Sequence, residues 1–311
     1  MNTTSYKYVN FKRLKEIHSR EDIFNFVLRM RLRNYESCSE SERKEINSIF
    51  TTGIEILRNS LTKSEEEFDE AVQFVVSKVF KKEDPTFWFN NFTHQYRSEV
   101  KIQMEYDKIK PYLVGNKIVD IGSGSGRLAA KFAENDYEVY TADIIDYRAD
   151  IAKDLPFALI DDNSKIAYGD KIADNSLVIL SFHHMDNKTF ESTIAELKRI
   201  SNRIIVKEDV FGIPMDNKQF KEIVDLDPLL QEFCKFSLQD QFMILMLSDY
   251  VSNVFIHGRT DMSFAFEFKS IPEWRKIFNS DGLKLVDEYL VGFKRGKFSG
   301  SCHAYFVVDV I

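Results

Sequence analysis

The sequence predicts a mixed α/β protein: a mostly parallel sheet with helices on both faces, preceded by a helical region and interrupted by one long insertion. Two observations carry this. Residues 1 to about 110 hold almost no glycine and repeat their apolar positions with a helical period. From residue 117 onward, short apolar runs alternate with helical patterns, which implies parallel strands joined by crossover helices.

In the helical region, Ser39 and Glu42 open one helix as a capping box, with Ile46, Ile49, Phe50, Ile54 and Leu57 as its stripe. Ser64 and Glu67 open a second, striped by Phe68, Ala71, Val72, Val75, Val76, Val79 and Phe80. "DPTFWFNNF" (84–92) breaks the run, a further helix fits 93–110, and Pro111 and Gly115 end it. The strands follow as Ile118–Ile121, "YEVYTAD" (137–143), "FALID" (157–161), "SLVILSF" (176–182) and "RIIVKEDV" (203–210). Helices fit 127–134 and "KTFESTIAELKRI". After the insertion 211–270, "SIPEWRKIFNSDG" reads as a helix capped by Ser270 with Glu273, and β-rich stretches 284–294 and 303–310 close the chain. The expected division is a helical region 1–110 on the lid or substrate side, then a domain 111–311 that carries the insertion.

At 311 residues, 44% hydrophobic and 29% charged, the chain reads as an ordinary soluble protein. A net charge of −7 argues against a general grip on nucleic acid, which needs a clustered positive surface. The first 33 residues are the exception, with Lys7, Lys12, Arg13, Lys15, Arg20, Arg29, Arg31 and Arg33 facing only Glu16, Glu21 and Asp22. A solvated helix face is the plainer reading, an anionic substrate or partner the other. Cys38, Cys234 and Cys302 show neither disulfide nor zinc spacing. The sequence shows no h-region and no membrane-length apolar window, so a cytoplasmic enzyme is expected, as a monomer or a homodimer.

The chemistry concentrates in "KIVDIGSGSGRLAAKFA" (117–133). Glycines between a strand and its helix let a ligand approach the backbone. A dinucleotide fingerprint would need glycine where Arg127 stands. The acid Asp120 ahead of Gly122, Gly124 and Gly126 would repel a pyrophosphate but could hold an ammonium group. That favours a zwitterionic, cationic ligand such as S-adenosylmethionine (SAM). Asp143, ending the next strand, sits where a ribose diol needs a bidentate acceptor.

On these residues the sequence resembles the class I SAM-dependent methyltransferases of small-molecule type, a Rossmann-like fold with a seven-stranded sheet. "VDIGSGSGRLA" is similar to the family's first motif and "YTADIIDYR" to its second. "LIDD" with "IADNSLVILSFHHMDN", and "ELKRISNRIIVKEDV", resemble its later strands. The resemblance covers roughly 93–311. Asp162 stands where the family usually has glycine, and Leu177-Val178 where it has Phe-Asp. It implies that Asp120, Gly122, Ser123, Gly124 and Gly126 cradle the methionine part of SAM. Asp143 would take the ribose hydroxyls, with Ile144 against the adenine. Asp161 and the Asp162 backbone would face the adenine amine, and Ser181 and Phe182 would close the other side. Arg97, beside Tyr96, would meet the methionine carboxylate or be a surface helix charge.

Ligands of open α/β sheets lie over the carboxyl ends of the strands. That rule selects His183, His184 and Glu208 as candidate general bases, needed where the acceptor arrives protonated. The alternative is that the histidines pack and the acids cap. Asp209, Arg295 and His303 share that edge, and Asp249, Asn253 and His257 lie in the aromatic insertion, so all six are candidate acceptor contacts. No metal is expected. The expected activity is methyl transfer from SAM, releasing S-adenosylhomocysteine, to oxygen or nitrogen of a small organic acceptor in specialised-metabolite biosynthesis. The alternatives are a protein or RNA acceptor docked by the basic N-terminal helices, or a SAM-binding protein without turnover.

Overall fold

The structure is a computed structural model, and it describes residues 10–36, 38–161, 164–260, 264–293 and 301–311. Contacts divide the chain into two compact units. A sheet unit comprises His94–Asp209, Lys269–Leu290 and His303–Ile311, and a helical unit comprises Met1–Thr93, Val210–Phe268 and Val291–Cys302. The division therefore falls after residue 93 rather than at the expected 110. The helix Lys101–Ile109 goes with the sheet because Tyr106 packs on Phe132 with ring centres 4.9 Å apart.

In the sheet unit the strands are β1 (Lys117–Ile121), β2 (Glu138–Asp143), β3 (Phe157–Leu159), β4 (Ala173–Ile179), β5 (Ser201–Phe211), β6 (Lys269–Ser270), β7 (Leu283–Gly292) and β8 (His303–Val310). Their order is β3-β2-β1-β4-β5-β8-β7, with the two-residue β6 paired to β5 off this path. The first five are parallel and β8 runs antiparallel to β5. This is the expected Rossmann-like fold, with the short β6 as an eighth strand. Ile118, Val119, Ile121, Leu177, Val178, Ile204, Ile205 and Val206 are all fully buried. Burial on both faces explains why these strands read as continuous apolar runs.

β4 begins and ends three residues before the expected 176–182. Its opening residues tie down the approach to β1. Asp174 accepts the Asn116 and Lys117 N–H groups at 3.0 Å, and the Asn175 side chain bonds both backbone groups of Val114. The shift leaves Leu180 and Ser181 beyond the strand, where they shape the site.

The helical unit joins the N-terminal helices to the insertion. Helix Leu238–Tyr250 is buried over Ile244–Tyr250, so it runs through the middle of this unit rather than along its surface. Phe26 lies against Phe233 and Phe236, Phe68 against Tyr250, and Phe80 against Phe255. The insertion's aromatic residues are thus largely core.

Four arginines of the basic cluster are engaged inside the same unit, Lys12 and Lys15 are exposed, and Lys7 lies outside the described residues. Arg33 pairs with Asp227 at 2.6 Å, Arg29 with Glu232 at 2.5 Å, and Arg20 with Asp240. Buried Arg31 donates to the backbone and hydroxyl oxygens of Ser248. These four arginines dock onto insertion residues far away in sequence, and Arg29 stays about half exposed as a solvated face would be. Among the described residues three π-helical turns, Val75–Val79, Tyr96–Val100 and Val251–Ile256, interrupt helices that the apolar period presents as continuous or leaves undefined. Among the described residues no helix is long and apolar enough to cross a membrane.

Candidate functional site

β1 delivers the chain to the glycine turn, where all three glycines take positive φ: 67° at Gly122, 52° at Gly124 and 67° at Gly126. Their roles differ. A Cβ on Gly122 would come within 2.4 Å of the Ser181 hydroxyl, and one on Gly126 within 2.7 Å of the Ala152 Cβ. Both serve close packing. At Gly124 nothing lies within 4 Å of an added Cβ, so the missing side chain leaves open space beside the backbone.

Asp143, at the end of β2, faces that opening. One carboxylate oxygen accepts the Gly124 N–H at 2.8 Å and the other the Ile144 N–H at 2.7 Å. Ile144 itself is 54% exposed, a large apolar side chain left in solvent beside an acid. Asp120 is 3% exposed within β1. Its carboxyl is pushed up to about 7, first by burial and then by the charge of Asp143. A buried acid in that state answers a cation. Buried Asp120 suits the ammonium of SAM, the Asp143 carboxylate at the end of β2 its ribose hydroxyls, and the open space at Gly124 a close approach of the ligand to the backbone.

The end of β4 forms the next wall. Leu180 adopts φ 56°, a left-handed conformation that branched residues rarely take, and its N–H is held by the Lys207 carbonyl at 2.8 Å. This bend aims the N–H groups of Ser181 and Phe182 at one oxygen of Glu208, at 2.8 and 2.7 Å. The other Glu208 oxygen accepts Nδ1–H of His183 at 2.5 Å. Glu208 is fully buried, so it anchors this turn and fixes the ring of His183. As a free general base it is corrected: all three donors are already on it. The His184 ring lies 4.1 Å from that of His183.

The remaining expected residues separate. Phe182 was expected to close the cofactor's other side, but its ring is 1% exposed and packs on Phe190 and Trp274, so it belongs to the core. Asp161 accepts the Lys165 N–H at 2.8 Å within its own turn. Asp162 and Arg295 lie outside the described residues. Tyr96 is buried and Arg97 exposed, both on the π-helical turn. The Ser123 carbonyl accepts the Gly126 N–H at 2.8 Å, closing the loop.

Strand alternation sorts the acids of β5. Glu208 faces the β4 turn, while Lys207 and Asp209 point the other way. Asp209 meets His303, its register partner on β8, at 2.8 Å. Burial first, and Lys207 second, hold the His303 ring below its ordinary value. In the helical unit, Asn253 donates to the Asp249 carboxylate at 2.7 Å, one turn along the same helical run, and His257 follows that run's end.

Sequence reasoning missed a buried charge group on the same side of β5. Glu105 takes both the Lys207 ammonium and the Tyr305 hydroxyl. Burial opposes its ionisation, yet Lys207 and Lys101 together with those hydrogen bonds hold it down to about 2. Lys207 inside an apolar strand was the available signal. Leu180 offered none.

Residues 119–203, from β1 into β5, match the family described as "Methyltransferase domain". A search of the curated proteins found no match. Among solved structures, the chain is similar to the 1,6-didemethyltoxoflavin-N1-methyltransferase of Burkholderia thailandensis, at 14% identity and TM-score 0.44, covering 80% of this chain and 91% of that one. It is also similar to the magnesium protoporphyrin IX methyltransferase of Synechocystis PCC 6803, at 14% identity and TM-score 0.41 over 78% and 99%. A SAM-dependent methyltransferase of Methanosarcina mazei matches at 14% identity and TM-score 0.43 over 66% and 98%. The matched segment holds Asp120, the glycine turn, Asp143 and the His183 turn, and over these residues the chain is similar to a methyltransferase domain.

Proposed function

We propose that the protein transfers the methyl group of SAM to an oxygen or nitrogen of a small organic acceptor. The observation that carries this reading is the placement of the His183–Glu208 pair one strand from the loop of Asp120 and Gly124. Bound SAM supplies an electrophilic methyl on a sulfonium, displaced in line, so positioning provides most of the acceleration. Asp120 and Asp143 orient the cofactor through its ammonium and ribose, with Ile144 against the adenine. Glu208 holds Nδ1–H of His183, so a proton taken from an acceptor hydroxyl or ammonium goes to Nε2, and Glu208 stabilises the resulting imidazolium. Asp249, Asn253 and His257 are kept as acceptor contacts on the sequence reading alone. Because Arg20, Arg29 and Arg33 are committed to acids of the insertion, they offer little to a docked RNA or acidic protein.

Calorimetric titration with SAM and S-adenosylhomocysteine, on wild type and Asp143→Ala, tests the cofactor site. Binding lost in the variant supports it, and no binding to wild type overturns it. Release of S-adenosylhomocysteine across a panel of hydroxyl and amine acceptors then tests turnover. His183→Ala is expected to lower kcat by about a hundredfold or more while leaving cofactor affinity intact. Unchanged kcat removes His183 from the mechanism.

A further inference from the structure

The helical unit holds a cavity that the methyl-transfer reading does not use. Three helical segments line it: the run 10–15 through Asn10, the helix Glu65–Phe74, and the helix Leu238–Tyr250 with its π-helical turn. Thr260 and Phe264 complete the lining, and all of these residues belong to that one unit. The space measures about 20 Å³, room for one water-sized group. Exposure falls across the lining: Gln73 is exposed, Asp69 and Thr260 are half-buried, and Asn10 and Tyr250 are only 8% and 4% exposed. At the buried end hydrogen bonding is incomplete. The side-chain oxygen of Asn10 is buried and accepts no hydrogen bond. Among the described residues the Tyr250 hydroxyl makes none either. Buried polar groups are almost always satisfied, so two orphans on one cavity call for a partner inside it.

The chemistry of the lining selects that partner. Among the described residues it contains one carboxylate, Asp69, and no basic side chain, so it favours positive charge. Burial, and then the charge of Asp69, push the Tyr250 hydroxyl up, which keeps it protonated and its oxygen available as an acceptor. Phe68 and Phe264 flank Tyr250 with ring centres 6.3 and 5.6 Å away, so much of the remaining wall is aromatic. Aromatic faces attract cations but offer no ligand oxygen, and a divalent metal takes about six oxygens rather than one carboxylate and a few neutral groups. We propose that this cavity binds the ammonium head of a small primary amine. The oxygens of Asn10 and Tyr250 accept its N–H groups, Asp69 balances its charge, and the rings cover its remaining side. The inference stands apart from the methyltransferase reading, since it uses no residue of the Asp120, Asp143 and His183 site.

The test follows the thermal midpoint of the full chain in rising methylammonium chloride, against sodium, potassium and tetramethylammonium chlorides at equal ionic strength. The expected result is a saturable rise of about 2 °C once methylammonium reaches roughly ten times its dissociation constant, and no rise with the other three salts. Tetramethylammonium carries the same charge with no N–H and is too large for the space. Equal midpoints in methylammonium and sodium chloride leave the cavity to water and overturn the proposal. An equal rise with potassium removes the need for an N–H donor and does the same. Asn10→Leu takes away an orphaned oxygen, so its midpoint without amine is expected unchanged or higher and its response to methylammonium lost. Asp69→Asn, at a half-buried position, is expected to weaken methylammonium binding by about tenfold. A response of wild-type size in both variants overturns the proposal. Where Asn10→Leu lowers the midpoint, Asp69→Asn decides: a response of wild-type size overturns the proposal, and a weakened one supports it.

Discussion

Asp120→Asn should make the free protein more stable and its cofactor binding weaker. The carboxyl moves from an ordinary 3.8 to about 7 on folding, because burial disfavours its charge and Asp143 adds to the effect. A shift of about three units corresponds to about 4 kcal/mol at ~1.4 kcal/mol per unit. The sign follows from proton binding: between the two values the unfolded chain has lost the proton that the folded one keeps. Stability therefore falls as pH rises from about 4 to 7 and stays low above that. Asparagine removes this dependence, so a gain of up to about 4 kcal/mol is expected at pH 8 and almost none near pH 4. Urea unfolding of both proteins at the two pH values measures it. Binding of S-adenosylhomocysteine by wild type should weaken about tenfold per pH unit below 7, where Asp120 must first lose its proton, and the variant should lose both the affinity and that slope. A variant no more stable at pH 8, or one that binds as wild type does, refutes the argument that Asp120 is a buried acid kept for a cation.

Other substitutions probe the neighbouring elements. Gly124→Ala should fold, at a penalty of about 1 kcal/mol for its positive φ, yet bind SAM more weakly because the methyl enters the opening; Gly122→Ala should destabilise more, since it collides with Ser181. Thermal melts beside calorimetry separate the two. Glu208→Gln presents an amide donor where His183 donates Nδ1–H, and a loss of about 2 kcal/mol in stability with a shifted pH–rate profile is expected. Glu105→Gln leaves Lys207 and Lys101 without their counter-charge and should cost about 3 kcal/mol in urea unfolding. Because Glu105 is held to about 2, wild type should lose a similar contribution as pH falls from 4.5 toward 2, and the variant should lack that acid limb.

How far the sequence could be read depends on the range of the forces involved. Asp120, the three glycines and Asp143 were legible because a strand, a turn and a helix start are written in consecutive residues, and backbone sterics there are local. The alternating β/α pattern followed for the same reason, since burial on both faces leaves an apolar run. The tertiary structure decided what depends on partners distant in sequence. Arg33 finds Asp227, Glu105 finds Lys207 and Tyr305, and Asp209 finds His303 only once the chain has folded. Glu208 read equally well as base or cap until the left-handed Leu180 turned two N–H groups onto it. Composition gives the number of charges, but their pairing is a matter of distance and burial, which no sequence period encodes.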